Sequence, residues 1–448
     1  MRYELRDYQK ESVEKGIKFL LDKKKKTNAV IVAPTGSGKS LIIANIANGL
    51  DGKVIVFQPS KELLEQNYEK FISYGSYAEI YSASAGRKKI SDITFATIGS
   101  VVNKPELFEE FKYCIVDECH LVSPDDSAMY KKFFSQLKLK VLGLTATPVR
   151  MKRYNFPYPH AKICMLDRMR PRFFSEYLHI TQISEMKQNG YFSELDYYDY
   201  KFDESKLQLN TTGADFTTNS ISFALKESRT INQVIELYNS IVNKSVIKHI
   251  LIFIDSIDNA EYLAKSINSK VITGNTNKKE RESILSDFKS GKIKSVVNVG
   301  VLTTGFDFPE LDCIIMARPT MSLALYYQII GRAVRPHENK KKAYVFDFVG
   351  NFKRFGKVED LVIEEINGNW CINNGTRILT NTSISEEKLI DEPLIITFGK
   401  YSGTEIKNVP IEYLKWYTEN ATKSKYNKFI FDYYKQEISK EDGKTDKE

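Results

Sequence analysis

Two glycines, a lysine and a serine carry the densest chemical signal in this chain. They stand in Ala33-Pro34-Thr35-Gly36-Ser37-Gly38-Lys39-Ser40, between the apolar run Ala29-Val30-Ile31-Val32 and a helical pattern through Leu41, Ile42, Ile43, Ala44, Ile46 and Ala47. Glycines at 36 and 38 let the backbone turn tightly and aim successive N–H groups at phosphate oxygens, and the helix adds its positive end. Lys39 supplies a full charge for terminal phosphates, and the Ser40 hydroxyl is placed to hold Mg²⁺ against them. The strict pattern begins with Gly where this chain has Ala33, but the two inner glycines remain. The order strand, glycines, lysine, serine, helix predicts a nucleotide-binding loop.

Further along, Val116-Asp117-Glu118-Cys119-His120 follows an apolar strand. An Asp at a strand end beside a phosphate loop can hold Mg²⁺, and the adjacent Glu can orient and deprotonate a water for attack on a γ-phosphate. His120 is read as a hinge between the nucleotide and other parts of the chain, or as a hydrogen-bonded loop residue. Near the N-terminus, Gln9 in Arg6-Asp7-Tyr8-Gln9 offers an amide that can both donate to and accept from one adenine edge. The second half holds Thr303-Thr304-Gly305-Phe306-Asp307 and Gln328-Ile329-Ile330-Gly331-Arg332-Ala333-Val334-Arg335-Pro336. Arg332 and Arg335, one helical turn apart, are expected on one helix face, reaching across an interdomain cleft toward the same phosphate.

Positioning these groups requires parallel sheet, and the pattern supplies it. Strands are expected at 53–57, 93–96, 113–116 and 141–144, alternating with amphipathic helices, each ending in polar residues where ligands bind in open α/β sheets. Gln58-Pro59-Ser60-Lys61-Glu62 and Thr97-Ile98-Gly99-Ser100 follow two of them with hydroxyls, a lysine and helix starts suited to a phosphodiester backbone. The run Lys23 to Lys26 reads as a solvated helix end. A second α/β pattern, with strands at 250–254, 270–272, 295–299, 313–316 and 343–348, has no phosphate loop of its own. Closing the two units on a nucleotide would tie hydrolysis to domain motion.

Between them, residues 150–174 lose periodicity and gather Arg150, Lys152, Arg153, Arg168, Arg170 and Arg172 with Tyr154, Phe156, Tyr158 and Phe173. Interleaved cations and rings suit a single strand or fork junction, while a surface linker with tucked aromatics fits equally well. Tyr198, Tyr200 and Phe202 alternate with charges as in a half-buried strand. Residues 351–392 are mixed and Asn-rich, irregular or a small hairpin. Around 398–403 a tight turn between short strands is expected, then a proline-started helix from Val409 to Tyr417. Trp416, Tyr413 and Tyr417 are expected in the core of this small module, with Lys400 and Tyr401 able to touch DNA.

The ordered motifs resemble superfamily 2 helicases over roughly residues 1–350. The resemblance implies two tandem RecA-like domains, an α/β fold with a small C-terminal α+β module. It implies ATP and Mg²⁺ as cofactors, with Arg6, Gln9, Pro34, Thr35, Gly36, Ser37, Gly38, Lys39, Ser40, Gly305 and Asp307 around the nucleotide and Gln9 on adenine. Ser40 and Asp117 would hold the metal, and Lys39, Asp117, Glu118, His120, Gln328, Arg332 and Arg335 would serve catalysis. Thr145 and Thr147 in Leu144-Thr145-Ala146-Thr147-Pro148 would couple hydrolysis to movement. Pro59, Ser60, Thr97, Gly99, Ser100, Arg150, Ser256 and Thr303 would face nucleic acid. The Leu5-Arg6-Asp7-Tyr8-Gln9 opening and the Gly331-Arg332 to Arg335-Pro336 ending resemble those of compact phage branch-migration helicases and bacterial RadD-like helicases. The latter carry a zinc-binding cysteine cluster that is absent here.

The expected boundaries are 1–150 for the ATP-binding domain, 151–222 for a basic and aromatic accessory segment and 223–350 for the second helicase domain. After them come a connector at 351–392, a module at 393–440 and a disordered tail at 441–448. Across 448 residues, 42% hydrophobic and 12% aromatic content suffice for packed cores, which excludes a disordered chain. The five scattered cysteines suggest buried apolar fillers, with no disulfide framework and no zinc site. A net charge of +8 permits a polyanionic partner. No membrane span or signal peptide is expected, so a soluble intracellular protein is expected, and the resemblance to phage and bacterial helicases implies the cytoplasm of a bacterial or phage-infected cell. The leading expectation is a motor on branched DNA. An RNA helicase or the motor of a restriction complex is the first alternative, and a nucleic-acid annealing protein with a vestigial ATPase is the second.

Overall fold

Ala29–Val32 is buried at every position, so the sheet it joins must be covered on both faces. Parallel sheets flanked by helices provide that cover, and burying each Val or Ile contributes about 1.5–3 kcal/mol. The computed structural model describes residues 4–123, 128–137, 139–154, 160–211, 213–242, 247–303, 306–380, 400–401, 404, 406–420, 430–431 and 433–435. In chain order its strands are β1 (Ala29–Val32), β2 (Lys53–Phe57), β3 (Glu79–Ser82), β4 (Arg87–Lys88), β5 (Ile93–Ala96), β6 (Phe111–Val116), β7 (Lys140–Thr145), β8 (Val149–Tyr154) and β9 (His160–Met165). They continue with β10 (Glu176–Ile180), β11 (Glu194–Asp199), β12 (Ile250–Ile254), β13 (Lys270–Ile272), β14 (Ser295–Asn298), β15 (Cys313–Ala317), β16 (Lys342–Asp347), β17 (Val362–Ile366) and β18 (Asn369–Asn373).

The first sheet runs β10-β1-β7-β6-β2-β5-β3-β4, with only the β3–β4 pair antiparallel among the described residues. The second, β11-β16-β15-β12-β14-β13, is parallel throughout. Register matters more than strand count for the site. Phe57 lies level with Val116 and with Ala96, and Val32 with Thr145. The polar residues that follow these strands, Ala33 to Ser40, Asp117, Gln58 and Thr97, therefore emerge along one carboxyl edge. All five cysteines lie buried as free thiols, and no helix among the described residues is long and apolar enough to cross a membrane.

The segment between the two α/β units is more ordered than its composition suggests. β8 and β9 form an antiparallel hairpin instead of an irregular linker. Its alternation buries Val149, Ile163 and Met165 in the same core as the second sheet. Arginine and lysine at the intervening positions hid that period of two. β10 then joins the first sheet beside β1, and β11 joins the second beside β16. Both strands lie at sheet edges, where one flank faces solvent and charged residues are tolerated, so neither has the apolar run of a central strand.

β17 and β18 form a hairpin in the stretch read as irregular or a small hairpin. Gln182 ties it down: its Nε2 donates to Ile363 O at 2.6 Å and its Oε1 accepts from Ile363 N at 3.2 Å. The C-terminal helix spans Ile411–Asn420. Tyr413 and Tyr417 pack against Ile406, Val409, Leu414 and Ile430, whereas Trp416 is 55% exposed, contrary to its expected core position. Leu414 fills the face that Trp416 would need, because the two are half a helical turn apart. Most of the turn at 398–403 and the tail at 441–448 fall outside the described residues.

Candidate functional site

The loop after β1 has the conformation its glycines predict. Gly36 and Gly38 sit at φ 85° and 80°, in the left-handed region, and Gly38 caps the helix Lys39–Asn48. A Cβ on Gly38 would also lie 2.5 Å from Gln9 Nε2. Gly38→Ala is therefore expected to cost about 1–2 kcal/mol in backbone conformation, beyond the displaced amide. This would appear as a lower denaturation midpoint and weaker nucleotide binding. A wild-type midpoint would show that the loop relaxes freely.

Gln9 braces the loop. Its Nε2 donates to Ser37 O at 2.7 Å, its Oε1 accepts from Arg6 N at 2.9 Å, and Tyr8 Oη donates to the same Ser37 carbonyl at 3.0 Å. Arg6 stacks its guanidinium 3.6 Å over the Tyr191 ring. Neither Arg6 nor Gln9 lines the adjoining cleft.

That cleft, of about 270 Å³, opens between the two sheets and is lined by Pro34, Thr35, Gly36, Gly38, Lys39, Ser40, Leu63, Gln66, Asn67, Lys70, Asp117, Glu118, Phe306, Asp307, Gln328, Arg332 and Arg335. Lys39 Nζ stands 3.4 Å from Glu118 Oε1. Glu118 is held in a left-handed conformation, φ 47° and ψ 47°, which is costly for a residue with a side chain and typical of functional positions. Burial opposes its charge, but Lys39, by charge and hydrogen bond, and Arg332 outweigh that and keep its carboxyl below the usual range. Asp117 behaves in the opposite sense: burial and the neighbouring Glu118 push it up to about 6. Its Oδ1 accepts from Glu118 N at 2.9 Å and its Oδ2 from Asn67 Nδ2 at 3.1 Å.

His120 lies behind the acids and outside the cleft lining. Its Nδ1 is 2.8 Å from Thr145 Oγ1 and 3.4 Å from Glu118 Oε2, and burial lowers its pKa, keeping it neutral. Thr145 Oγ1 in turn donates to Thr147 O and accepts from Thr147 N, so a polar chain runs from Glu118 to the turn after β7. Arg150, expected on nucleic acid, donates from Nη1 to His120 O at 3.0 Å and thereby ties the hairpin to this chain.

The second sheet contributes Gln328 from the helix Leu323–Ile330. Contrary to the expectation above, the two arginines do not share a helix face. The helix ends at Ile330, and Arg332 and Arg335 lie in the turn beyond it. Gly331 makes the close approach there: a Cβ on it would come within 3.0 Å of Thr35 Cβ and Cγ2 in the opposite lobe. Arg332 donates from Nη1 to Phe306 O at 2.7 Å, and burial lowers it to about 10, so it stays cationic at neutral pH. Arg335 is ion-paired with Asp307, whose Oδ2 also lies 3.5 Å from Lys70 Nζ of the first lobe. Thr35 N donates to Tyr327 Oη at 3.2 Å across the same boundary. Four cations, Lys39, Lys70, Arg332 and Arg335, thus face three carboxylates, Asp117, Glu118 and Asp307, in one cleft suited to a polyphosphate.

The residues expected on nucleic acid follow the carboxyl ends of β2, β5, β12 and β14. Pro59 precedes Ser60, whose Oγ caps the helix Lys61–Ser73, as Ser256 caps Ile257–Ser266. Thr97 Oγ1 lies 3.0 Å from Ser82 Oγ and 2.9 Å from Ser100 Oγ, while Gly99 faces open space. Thr303 N donates to Val301 O; Gly305 lies outside the described residues. Phe173, proposed as a stacking ring, packs against Phe134 and Phe174.

Sequence reasoning missed Asn67, Gln58, Lys70 and Tyr327. The apolar Leu63 and Leu64 beside Gln66 and Asn67 carry a faint signal, an amide on the inner face of an amphipathic helix.

Residues 2–150 match the family model described as Type III restriction enzyme, res subunit, and residues 230–337 match that described as Helicase conserved C-terminal domain. IRC3 of Saccharomyces cerevisiae, named as an ATP-dependent helicase, is 25% identical over 379 residues, which cover 77% of this chain and 51% of the relative. The ATP-dependent DNA helicase uvsW of Enterobacteria phage T4 is 25% identical over 368 residues, 76% of this chain and 68% of its own. The chain thus spans about half the length of the yeast relative. A fragment of an HsdR subunit of a type I restriction enzyme from Vibrio vulnificus YJ016 has the same fold, with a TM-score of 0.59 at 18% identity over 80% of this chain and 67% of that one.

Proposed function

This chain belongs to the superfamily 2 DNA helicases, and from that premise we propose that it is an ATP-driven motor that moves on DNA and remodels forks and four-way junctions in recombination, replication or repair. One observation carries the reading: Lys39 and Glu118 of the first lobe and Arg332 and Arg335 of the second line a single cleft. ATP is the substrate there. Lys39 leaves Glu118 for the terminal phosphates, and the backbone of Gly36 to Lys39 cradles them. Freed of Lys39, Glu118 orients a water and takes its proton. Arg332 and Arg335 neutralise charge that builds on the γ-phosphate, so hydrolysis needs both lobes in place.

Mg²⁺ fits the donor set, a buried carboxylate on Asp117 beside the Ser40 hydroxyl, both oxygen ligands suited to a hard cation. Held by these two residues, it would supply positive charge that neutralises the phosphates. The chain from Glu118 through His120 to Thr145 and Thr147 is suited to pass the state of the site to the hairpin at Arg150. Branched DNA as the substrate rests on the resemblance to phage branch-migration helicases at residues 5–9 and 331–336, and we place the reaction in the cytoplasm of a bacterial or phage-infected cell.

The match of residues 2–150 to a restriction-enzyme family favours a second reading, the motor of a restriction complex. A junction-dissociation gel run beside an ATP-hydrolysis assay separates the two. The purified protein with ATP is expected to dissociate a synthetic four-way DNA junction, and Lys39→Ala is expected to leave it intact. Hydrolysis on linear duplex with an untouched junction would favour the restriction motor instead.

A further inference from the structure

Asn67 is buried on the helix Lys61–Ser73, at a position where the inner face otherwise carries Leu64 and Phe71. Asparagine is a poor helix former and leucine a good one, so local structure gives no reason for it. Its hydrogen bonds do. Asn67 Oδ1 accepts from Ser40 Oγ at 2.7 Å, and its Nδ2 donates to Asp117 Oδ2 at 3.1 Å and to Gln58 Oε1 at 2.9 Å. One amide therefore joins the hydroxyl that opens the loop helix, the carboxylate after β6 and an amide after β2.

The directions of these bonds matter. Because the Ser40 hydroxyl spends its proton on Asn67, the lone pairs of Ser40 Oγ remain free to ligate. Because Asn67 donates to Asp117 Oδ2 while Glu118 N donates to Oδ1, the carboxylate plane is fixed, and each oxygen, with more than one lone pair, can still ligate. Asn67 thus orients both groups without occupying the valences an ion would use.

We propose that Asn67 is a positioning residue for the divalent cation, fixing the Ser40 hydroxyl and the Asp117 carboxylate in ligating orientation; the inference rests on the reading that these two hold the metal. Groups that orient metal ligands typically cost roughly 10- to 100-fold in metal affinity when lost. The test uses the full chain and a fluorescent N-methylanthraniloyl-ADP, titrated once in Mg²⁺ and once in EDTA. Asn67→Leu keeps the branched shape and the number of side-chain heavy atoms without any polar atom, and Asn67→Ser stays polar but is too short to reach both partners. Either variant is expected to bind nucleotide normally in EDTA and to lose roughly 10- to 100-fold of the gain that Mg²⁺ brings. A merely structural role would weaken binding equally in both buffers, and that result, or a wild-type gain, overturns the proposal. Asp117→Asn separates the two levels: if it loses the gain while the Asn67 variants keep it, only this inference fails. If Asp117→Asn keeps the gain, the cation is held elsewhere and the underlying reading fails.

Discussion

Glu118→Gln should lower ATP turnover by roughly 10²–10⁴-fold while leaving ATP bound at least as tightly as in the wild type. The substitution is isosteric, so the left-handed turn at 118 and the contacts around it can persist. What disappears is the basic oxygen. Lys39, 3.4 Å away, keeps that carboxylate ionised, and a carboxamide cannot accept the proton of the attacking water. It also cannot hold Lys39 by charge, so the lysine is freer to meet phosphate. Single-turnover hydrolysis together with equilibrium ATP binding checks both halves. Turnover at the wild-type rate would remove Glu118 from the role of base and transfer it to Asp117 or a water-borne route.

Arg335→Ala should be as severe in rate, by about 10³–10⁵-fold, with ATP affinity changed by only a few-fold. Arg335 is paired with Asp307, so its charge is already compensated before any phosphate arrives. Exchanging that carboxylate for ground-state ATP gains little, whereas extra negative charge developing in the transition state gains more. Arg335→Lys should rescue poorly, because an ammonium lacks the planar fork. Comparing Kd for ATP with the single-turnover rate is the decisive readout. Losses of equal size in both would mean that Arg335 binds ATP without favouring its transition state.

How much of this was legible in the residues depends on the range of the contacts involved. The conformation of the loop after β1 was legible because its demands are local: Gly36 and Gly38 are the residues that adopt left-handed backbone cheaply, and Lys39 and Ser40 follow at fixed spacing. The pairing of Asp117 with Glu118 was legible for the same reason. The identity of Arg332 and Arg335 could be read as well, but their placement could not, since the helix ends at Ile330 and Gly331, its cap, comes close to Thr35 of the other lobe.

Tyr327 was invisible because its partner lies far away in sequence, Thr35 across 292 positions, and Asn67 left only a faint signal because Ser40 and Asp117 are 27 and 50 positions away. Gln9 was read for its amide chemistry alone, and only the fold reveals that Ser37 and Arg6 occupy it. The hairpin from Val149 to Met165 was misread as a linker because its basic residues outweighed an alternation that was present all along. β10 was missed for a related reason, and β11 was read only at its end, from the alternation that begins at Tyr198, edge strands such as Glu194–Asp199 being half polar by position.

The most direct test is ATP hydrolysis by the purified protein, measured alone and with single-stranded DNA, duplex DNA, a four-way DNA junction or single-stranded RNA, using Lys39→Ala as the blank. Stimulation by DNA, greatest with the junction and absent from Lys39→Ala, is the expected result. Turnover indifferent to every nucleic acid, or stimulated by RNA alone, would contradict a motor on branched DNA.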